Sequence, residues 1–162
     1  MDSRVVVLLC FLAVPANAEL QTITVTGTIK CDHGSPLSLA FVELYTHGFF
    51  SPEKLLNSTF ANVGFKSFAL SGQSSGIFSI DPFLYIKHNC VRGYKSCFGS
   101  QIYIPKNSIG GSYNFKTIDL SIHRSNSINC GTFAKDAMAF VDRKGMQPRK
   151  MREILDHLGF RY

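Results

Sequence analysis

The sequence predicts an all-β fold, a two-sheet β-sandwich of seven to eight strands, and three observations favour it. Apolar and polar residues alternate with period two through most of residues 21–123, as in half-buried strands. Turn-forming residues recur at about every eight to twelve positions, the spacing of short strands in a sandwich. The chain also holds 14 Phe and 6 Tyr, which suit strands better than helices. Its 162 residues correspond to one domain.

The individual strands follow from this alternation. In QTITVTGTIK, residues 21–30, the apolar Ile23, Val25 and Ile29 share one face and threonines take the other. LAFVELY, residues 39–45, is apolar nearly throughout and is predicted to be a central strand. The remaining strands are predicted near residues 56–61, 64–72, 76–80, 83–90, 98–105 and 113–123.

The first 18 residues are predicted to be a secretory signal that is cleaved between Ala18 and Glu19. Arg4 supplies a positive charge, residues 5–14 form an apolar run, and ANA supplies the small residues before the cleavage position. The run is shorter than the roughly 20 residues that span a bilayer, and no later stretch is long enough. We therefore expect a secreted, extracellular protein without a transmembrane segment, composed of the signal (1–18), the sandwich domain (19–130) and a basic extension (131–162).

Four cysteines remain after removal of the signal, and this even number favours two disulfides in an oxidising compartment over a zinc site. Cys90 and Cys97 flank a short connection between adjacent strands, and we pair them. Cys31 ends the first strand and Cys130 follows the last. If those strands are parallel neighbours, the two thiols meet at one end of the sheet, and we pair them as well. Two alternatives stay open: Cys31–Cys90 with Cys97–Cys130, and Cys31–Cys97 with Cys90–Cys130.

The extension after Cys130 differs in character from the sandwich. It holds seven Lys or Arg against four Asp or Glu, a difference of +3 in a chain of net charge +6. A helix is predicted from Pro148 to Gly159, because Met151, Ile154, Leu155 and Leu158 form one stripe. A helix this short needs a docking surface. The dibasic pairs Arg143–Lys144 and Arg149–Lys150 offer an alternative, in which a C-terminal peptide is released.

Two surface features are also predicted. The sequon Asn57-Ser58-Thr59 is expected to carry a glycan on a surface loop. Phe49 and Phe50 lie in a loop with glycine and proline nearby, and they form either an apolar binding patch or a cap over the core. The basic composition is compatible with anionic membranes or acidic glycans as partners, although a secreted protein with a pI near 9.2 needs no such partner. Nucleic acid is excluded as a partner by the predicted compartment.

Several segments together resemble the nematode transthyretin-like family. They span about residues 24–130 and are VTGTIKCDHGSPLSLAFVELY, SPEKLLNST, FALSG, FSIDPFLYIKHNC, SQIYIP and TIDLSI. The resemblance implies a transthyretin-like, Ig-like sandwich and an extracellular binding or bridging protein for a lipophilic ligand or a cell-surface component. This chain departs from the family pattern in two places. The acidic turn usually found before the ELSG-type strand is absent, and this chain continues for 32 residues after Cys130, whereas the family commonly ends soon after its final cysteine.

We expect no covalent chemistry, and therefore no catalytic residue, cofactor or metal. The five histidines, His33, His47, His88, His123 and His157, are scattered, and His88 is expected to be a partly buried structural residue. No G-x-S-x-G, H-E-x-x-H or phosphate-binding loop is present. Hydroxyisourate hydrolases of the wider transthyretin fold end in Tyr-Arg-Gly-Ser, whereas this chain ends in GFRY. A hydrolase of that type is the alternative function. The sequence specifies neither the ligand nor the oligomeric state.

Overall fold

The structure is a computed structural model that describes residues 19–31, 39–47, 52–62, 66–76, 79–90, 96–122 and 126–160. Within these ranges the elements are β1 (Glu19–Lys30), β2 (Leu39–His47), β3 (Lys54–Asn62), β4 (Lys66–Gly76), β5 (Asp81–His88), β6 (Cys97–Tyr103), a 3₁₀ turn (Lys106–Ser108), β7 (Ser112–Asp119), β8 (Asn126–Ile128), α1 (Cys130–Arg143) and α2 (Pro148–His157). The sandwich of eight strands confirms the predicted fold class. The short strand expected in residues 76–80 is not formed at Ser79 and Ile80, and residues 77–78 lie outside the described ranges.

Two sheets face each other across the main core. One has the strand order β4-β1-β7 and the other the order β3-β2-β5-β6-β8. The alternation in β1 places Ile23, Val25 and Ile29 in this core, and all three are fully buried. Leu44 of β2 and Ile86 of β5 meet them from the other sheet. The apolar sequence of β2 is explained by its position between β3 and β5, with both faces covered along much of its length.

The disulfides join Cys31 to Cys90 and Cys97 to Cys130, with Cα–Cα distances of 5.4 and 5.2 Å. The pairing that we preferred from the sequence, Cys31 with Cys130 and Cys90 with Cys97, is therefore wrong. Its premise was correct, since β1 and β7 are parallel neighbours. The error arose after β7, where β8 joins the opposite sheet beside β6 and brings Cys130 to Cys97. Cys31 instead links the end of β1 to the residues after β5 in the other sheet.

Peptide mapping of the unreduced protein distinguishes these pairings. Trypsin cleaves after lysine and arginine, so each cysteine falls in a separate peptide. We expect residues 31–54 to be linked to residues 88–92, and residues 96–106 to be linked to residues 125–135. A link between residues 31–54 and 125–135 would contradict the observed connectivity. Reduction before digestion is the control, and it should release all four peptides singly.

The extension forms two helices that pack on the outer face of the five-stranded sheet. The predicted helix is confirmed as α2, which begins with Pro148 and ends before Gly159, whose φ of 71° suits glycine. The other helix, α1, was not predicted. It is capped by Asn129, whose side chain accepts a hydrogen bond from the Gly131 N–H at 2.7 Å. The two helices and the sheet share a second core, formed by Leu39, Phe41, Cys97, Phe133, Ala134, Ala137, Phe140, Val141, Leu155, Leu158 and Phe160.

Candidate functional site

The candidate site lies on the outer face of the five-stranded sheet. Alternate residues of its central strands point away from the main core: Phe41, Glu43 and Tyr45 on β2, and Phe83, Tyr85 and Lys87 on β5. The helices pack on one end of this face, where Leu39 and Phe41 lie. The rings of Tyr45 and Phe83 lie at the other end. The face is thus divided into a helix-covered part and an aromatic part.

A groove of about 470 Å³ opens where the helices meet β2 and β3. We call it the apolar groove. Its lining comes from four parts of the chain and consists of Leu39, Phe60, Val141, Met146, Gln147, Lys150, Met151 and Ile154. Six of these eight side chains are apolar. Its volume is within the range of about 300 to 1,000 Å³ that is usual for small-molecule pockets.

The amphipathic stripe of α2 explains why the groove is not filled by the protein itself. Leu155 lies on the inner side of the stripe and is fully buried. Met151 and Ile154 are displaced toward the groove and are only half-buried. Met146, which precedes α2, is 45% exposed. These side chains leave apolar surface in contact with solvent, and the flexible methionines can adapt to different apolar partners.

The rim of the apolar groove is polar and basic. Lys150 lines the groove and is exposed, and Gln147 lies one turn before it at the start of α2. Arg149 and Arg152 are also exposed on α2. Arg149 forms an exposed pair with Glu153 at 3.2 Å, which contributes little to stability. The rim therefore offers a cationic group, Lys150, next to an apolar interior.

An ion cluster lies between the helix-covered part and the aromatic part of the face. Lys87 Nζ is 2.6 Å from Asp136 Oδ2 on α1 and 2.9 Å from Glu43 Oε2 on β2. Burial raises the pKa of Glu43, although the contact with Lys87 opposes this. Burial alone would lower the pKa of Lys87, but its hydrogen bonds to Asp136 and Glu43 outweigh that effect and raise it. Lys87 therefore stays protonated and ties α1 to the sheet.

The described histidines lie at separate places in the fold. His88 is fully buried rather than partly buried, and it lies 3.2 Å from the hydroxyl of Ser100, which is also fully buried. The His88 Nδ1 atom accepts a hydrogen bond from the Cys90 N–H at 3.3 Å, so the Nε2 atom carries the proton and donates it to Ser100. A general base would need the opposite tautomer and access to substrate. His47 and His157 lie elsewhere, on β2 and at the end of α2.

The sequon is not in the loop where it was expected. Asn57 lies in β3, is half-buried and donates from Nδ2 to the carbonyl of Ser71 at 2.8 Å. Its Oδ1 atom accepts from the Ser58 N–H at 2.8 Å. The turn signals of the preceding loop end at Pro52, and pairing with β2 extends the strand through the sequon. The second Nδ2 hydrogen is the position that a glycan would take.

Other predicted site residues lie outside the described ranges. These are Ala18 of the predicted cleavage position and the two phenylalanines Phe49 and Phe50. Glu19 is the exposed first residue of β1. The apolar groove was missed because α1 was not predicted, although Phe133, Ala137, Phe140 and Val141 have helical spacing. Among the described residues no group of three or more His, Cys, Asp or Glu is placed to bind a metal ion.

Comparison with known proteins gives two matches. Residues 26–105 match the family model described as TTR-52, transthyretin-like family. A curated relative, Transthyretin-like protein 16 of Caenorhabditis elegans, is 31% identical over 127 residues, which cover 76% of this chain and 95% of that protein. The family match begins within β1 and ends after β6. The helices that complete the apolar groove therefore lie outside the part that matches the family model.

Proposed function

The chain belongs to the transthyretin-like family, and we propose that it is a secreted, non-enzymatic binding protein that holds a lipophilic ligand in the apolar groove. The observation that carries this proposal is the groove itself, which six apolar side chains line beside a basic rim, with Phe60, Met146, Met151 and Ile154 still partly accessible. Burial of apolar ligand surface there contributes about 25 cal/mol per Å², or roughly 0.8 kcal/mol per CH₂ group. A ligand with a hydrocarbon chain would gain the most binding free energy from this lining, because it has the most apolar surface to bury.

The N-terminal sequence and the cysteines support secretion. The first 18 residues combine Arg4, an apolar run and a small-residue cleavage position, the pattern that secretory signals share. All four cysteines after this segment are in disulfides, which persist in oxidising compartments. Neither described helix has the length and apolarity needed to cross a membrane. In such a compartment Asn57 would also meet the glycosylation machinery.

The ligand class follows from the lining and the rim together. Gln147 and Lys150 stand at the edge of an otherwise apolar groove. An amphiphile with one acyl chain and an anionic head would place the chain against Met151 and Ile154 and the head near Lys150. The attraction between Lys150 and the head would be screened by salt, since the lysine is exposed. The apolar contacts should therefore dominate the affinity.

The non-enzymatic part of the proposal is supported by the chemistry of the polar groups. Lys87 is held protonated by two carboxylates, so it is unsuited to act as a nucleophile or a base. Ser100 and His88 are fully buried in the sandwich, away from any substrate. A hydrolase, the alternative named above, would need other groups. Substrate turnover by the purified protein would contradict this part of the proposal.

Release of a C-terminal peptide is disfavoured by the packing of the extension. Arg143 is the last residue of α1, and Arg149 and Lys150 lie in the first turn of α2. The residues after these dibasic pairs include Leu155 and Leu158, which are 0% and 2% exposed in the second core. Cleavage would remove part of that core and open the groove. We therefore propose that the helices stay attached.

The lipid proposal is tested by native mass spectrometry of the secreted protein and by titration with a fluorescent fatty acid. We expect a retained lipid or saturable binding of the probe. Met151→Glu places a carboxylate in the groove and should weaken probe binding by at least about tenfold, or about 1.4 kcal/mol. His157→Glu introduces the same carboxylate at an exposed residue of α2 outside the lining and is the matched control. No bound lipid together with no saturable probe binding would contradict the proposal, as would equal binding by both variants.

A further inference from the structure

A second groove of about 310 Å³ lies on the aromatic part of the sheet's outer face. We call it the aromatic groove. It is lined by Tyr45, Glu53, Phe83, Tyr85, Lys87 and Gln101, and it shares no lining residue with the apolar groove. Apolar and polar groups are mixed in its lining, whereas the apolar groove is mainly hydrocarbon. The two grooves therefore suit ligands of different chemistry.

The strand register forms a row of aromatic rings beside this groove. Tyr45, Phe83 and Tyr103 are paired neighbours on β2, β5 and β6. Ring centroids are 5.6 Å apart between Tyr45 and Phe83 and 6.2 Å apart between Phe83 and Tyr103. Phe83 is buried beneath its neighbours, while Tyr103 is 62% exposed. The His47 ring also stacks on Phe83, with centroids 4.5 Å apart, so the ring of this row that faces solvent most fully is that of Tyr103 at its edge.

The next row of the sheet places hydrogen-bonding groups beside the row of rings. Tyr85 pairs with Glu43 on one side and with Gln101 on the other. The Gln101 amide is exposed and donates from Nε2 to the Tyr103 hydroxyl at 3.2 Å. This contact orients the amide at the edge of the row of rings. The carboxylate of Glu53, whose side chain is 55% exposed, lines the groove just before β3 and lies 3.5 Å from Nδ1 of His47.

Gly99 shows that the arrangement depends on close packing. A Cβ atom at this position would collide with the hydroxyl and ring of Tyr85. The absent side chain lets the Tyr85 ring lie against β6. Lys87 Nζ lies 5.8 Å from the centroid of the same ring. Tyr85 is thus held between a glycine and a lysine whose charge is compensated by two carboxylates.

We propose that the aromatic groove binds a neutral saccharide unit of a glycan. One face of a pyranose carries C–H groups that stack on an aromatic ring, and its hydroxyls pair with amide and carboxylate groups at the edge. Tyr103 and Tyr45 supply the rings, and Gln101 and Glu53 supply the hydrogen-bonding groups. This site is separate from the proposed lipid site and does not depend on it.

The charges around the groove favour a neutral sugar over charged ligands. Lys87, the cation in the lining, is compensated by Glu43 and Asp136, and Glu53 lies 3.5 Å from Nδ1 of His47, so the lining offers an acidic glycan no uncompensated lysine or arginine. At Tyr85 a quaternary ammonium group would meet the charge of Lys87, whose Nζ already lies 5.8 Å from the ring centroid. The rings of Tyr45 and His47 are both stacked on Phe83, so these rings do not surround a cation on several sides as a cage would.

The test is binding of the full secreted chain to an array of neutral, sialylated and sulfated glycans, with soluble phosphocholine as a separate probe. We expect selective binding of neutral glycans. Saturation-transfer NMR with the best neutral glycan should show contact with the sugar C–H groups. Tyr103→Ala and Gln101→Ala should each weaken binding by about tenfold or more.

Ile122→Ala is the matched control, because Ile122 is 82% exposed outside both grooves. It should leave glycan binding and the melting temperature unchanged, and Tyr103→Ala should also keep the melting temperature. Met151→Glu should keep glycan binding, which separates this result from the lipid experiment. Three outcomes would overturn the proposal: no neutral glycan bound, preference for acidic glycans or phosphocholine, or undiminished binding by Tyr103→Ala.

Discussion

Replacement of Phe41 by alanine is expected to lower the free energy of unfolding by about 3 to 5 kcal/mol. Phe41 points away from the main core, yet it is fully buried because α1 covers it. Its ring centroid lies 4.7 Å from that of Phe60 and 5.5 Å from that of Phe140 on α1. The alanine variant leaves a cavity under the helix. Urea unfolding at neutral pH measures the loss.

This variant tests whether the helices are docked in solution. Without α1, Phe41 would lie on a solvated face, and its replacement would cost no more than an ordinary surface change, about 0.5 kcal/mol. Tyr103→Ala is the control, since Tyr103 is an aromatic residue on the same face of the sheet and is 62% exposed. If the two variants had similar stability, the packing of the extension on the sheet would be contradicted.

The strands were predictable because burial on one face leaves a period of two in the sequence. Ile23, Val25 and Ile29 identify the inner face of β1 without reference to any other strand. The parallel pairing of β1 and β7 was also anticipated. The disulfides were not, because β8 has only three residues and carries no periodic signal. That short strand decides which thiol Cys130 meets.

The two grooves could not be predicted in the same way, because their lining comes from distant parts of the chain. The start of α1 carries Gly131 and Thr132, which are poor helix formers. The sequence therefore does not indicate that a helix begins there. The apolar groove needs this helix as one wall. The alternation of β5 predicts that Lys87 faces solvent. Its burial depends on Asp136, 49 residues later, and such a pairing has no local pattern.

Replacement of Lys87 by methionine is expected to lower the free energy of unfolding at pH 7 by about 3 to 5 kcal/mol. Methionine keeps the length of the side chain but leaves Glu43, which is 4% exposed, without its counter-charge. Asp136 is less affected, because its side chain is 35% exposed and remains solvated. Urea unfolding of the variant and the wild type at pH 7 gives the difference.

The loss of stability in Lys87→Met should become smaller as the pH falls. The direction of this pH dependence follows from the pKa of Glu43. Burial raises the pKa of Glu43 above the value of 4.5 for a solvated glutamate, and loss of Lys87 raises it further. A carboxyl group whose pKa is raised on folding contributes stability that is complete below the unfolded pKa and is lost as the pH rises through the folded pKa. The free energy of unfolding of the variant should therefore be closer to that of the wild type at pH 4 than at pH 7.

The double variant Glu43→Leu with Lys87→Met separates loss of charge compensation from loss of packing. It removes both buried charges and keeps apolar side chains of similar size, so it should recover most of the stability lost in Lys87→Met. Its stability should also lose most of the added pH dependence, because the buried carboxyl is gone. A double variant as unstable at pH 7 as Lys87→Met would contradict this account. The contribution of Lys87 would then come from its contacts with the rings of Phe41 and Tyr85, at 5.9 and 5.8 Å from the ring centroids, and from its link to α1.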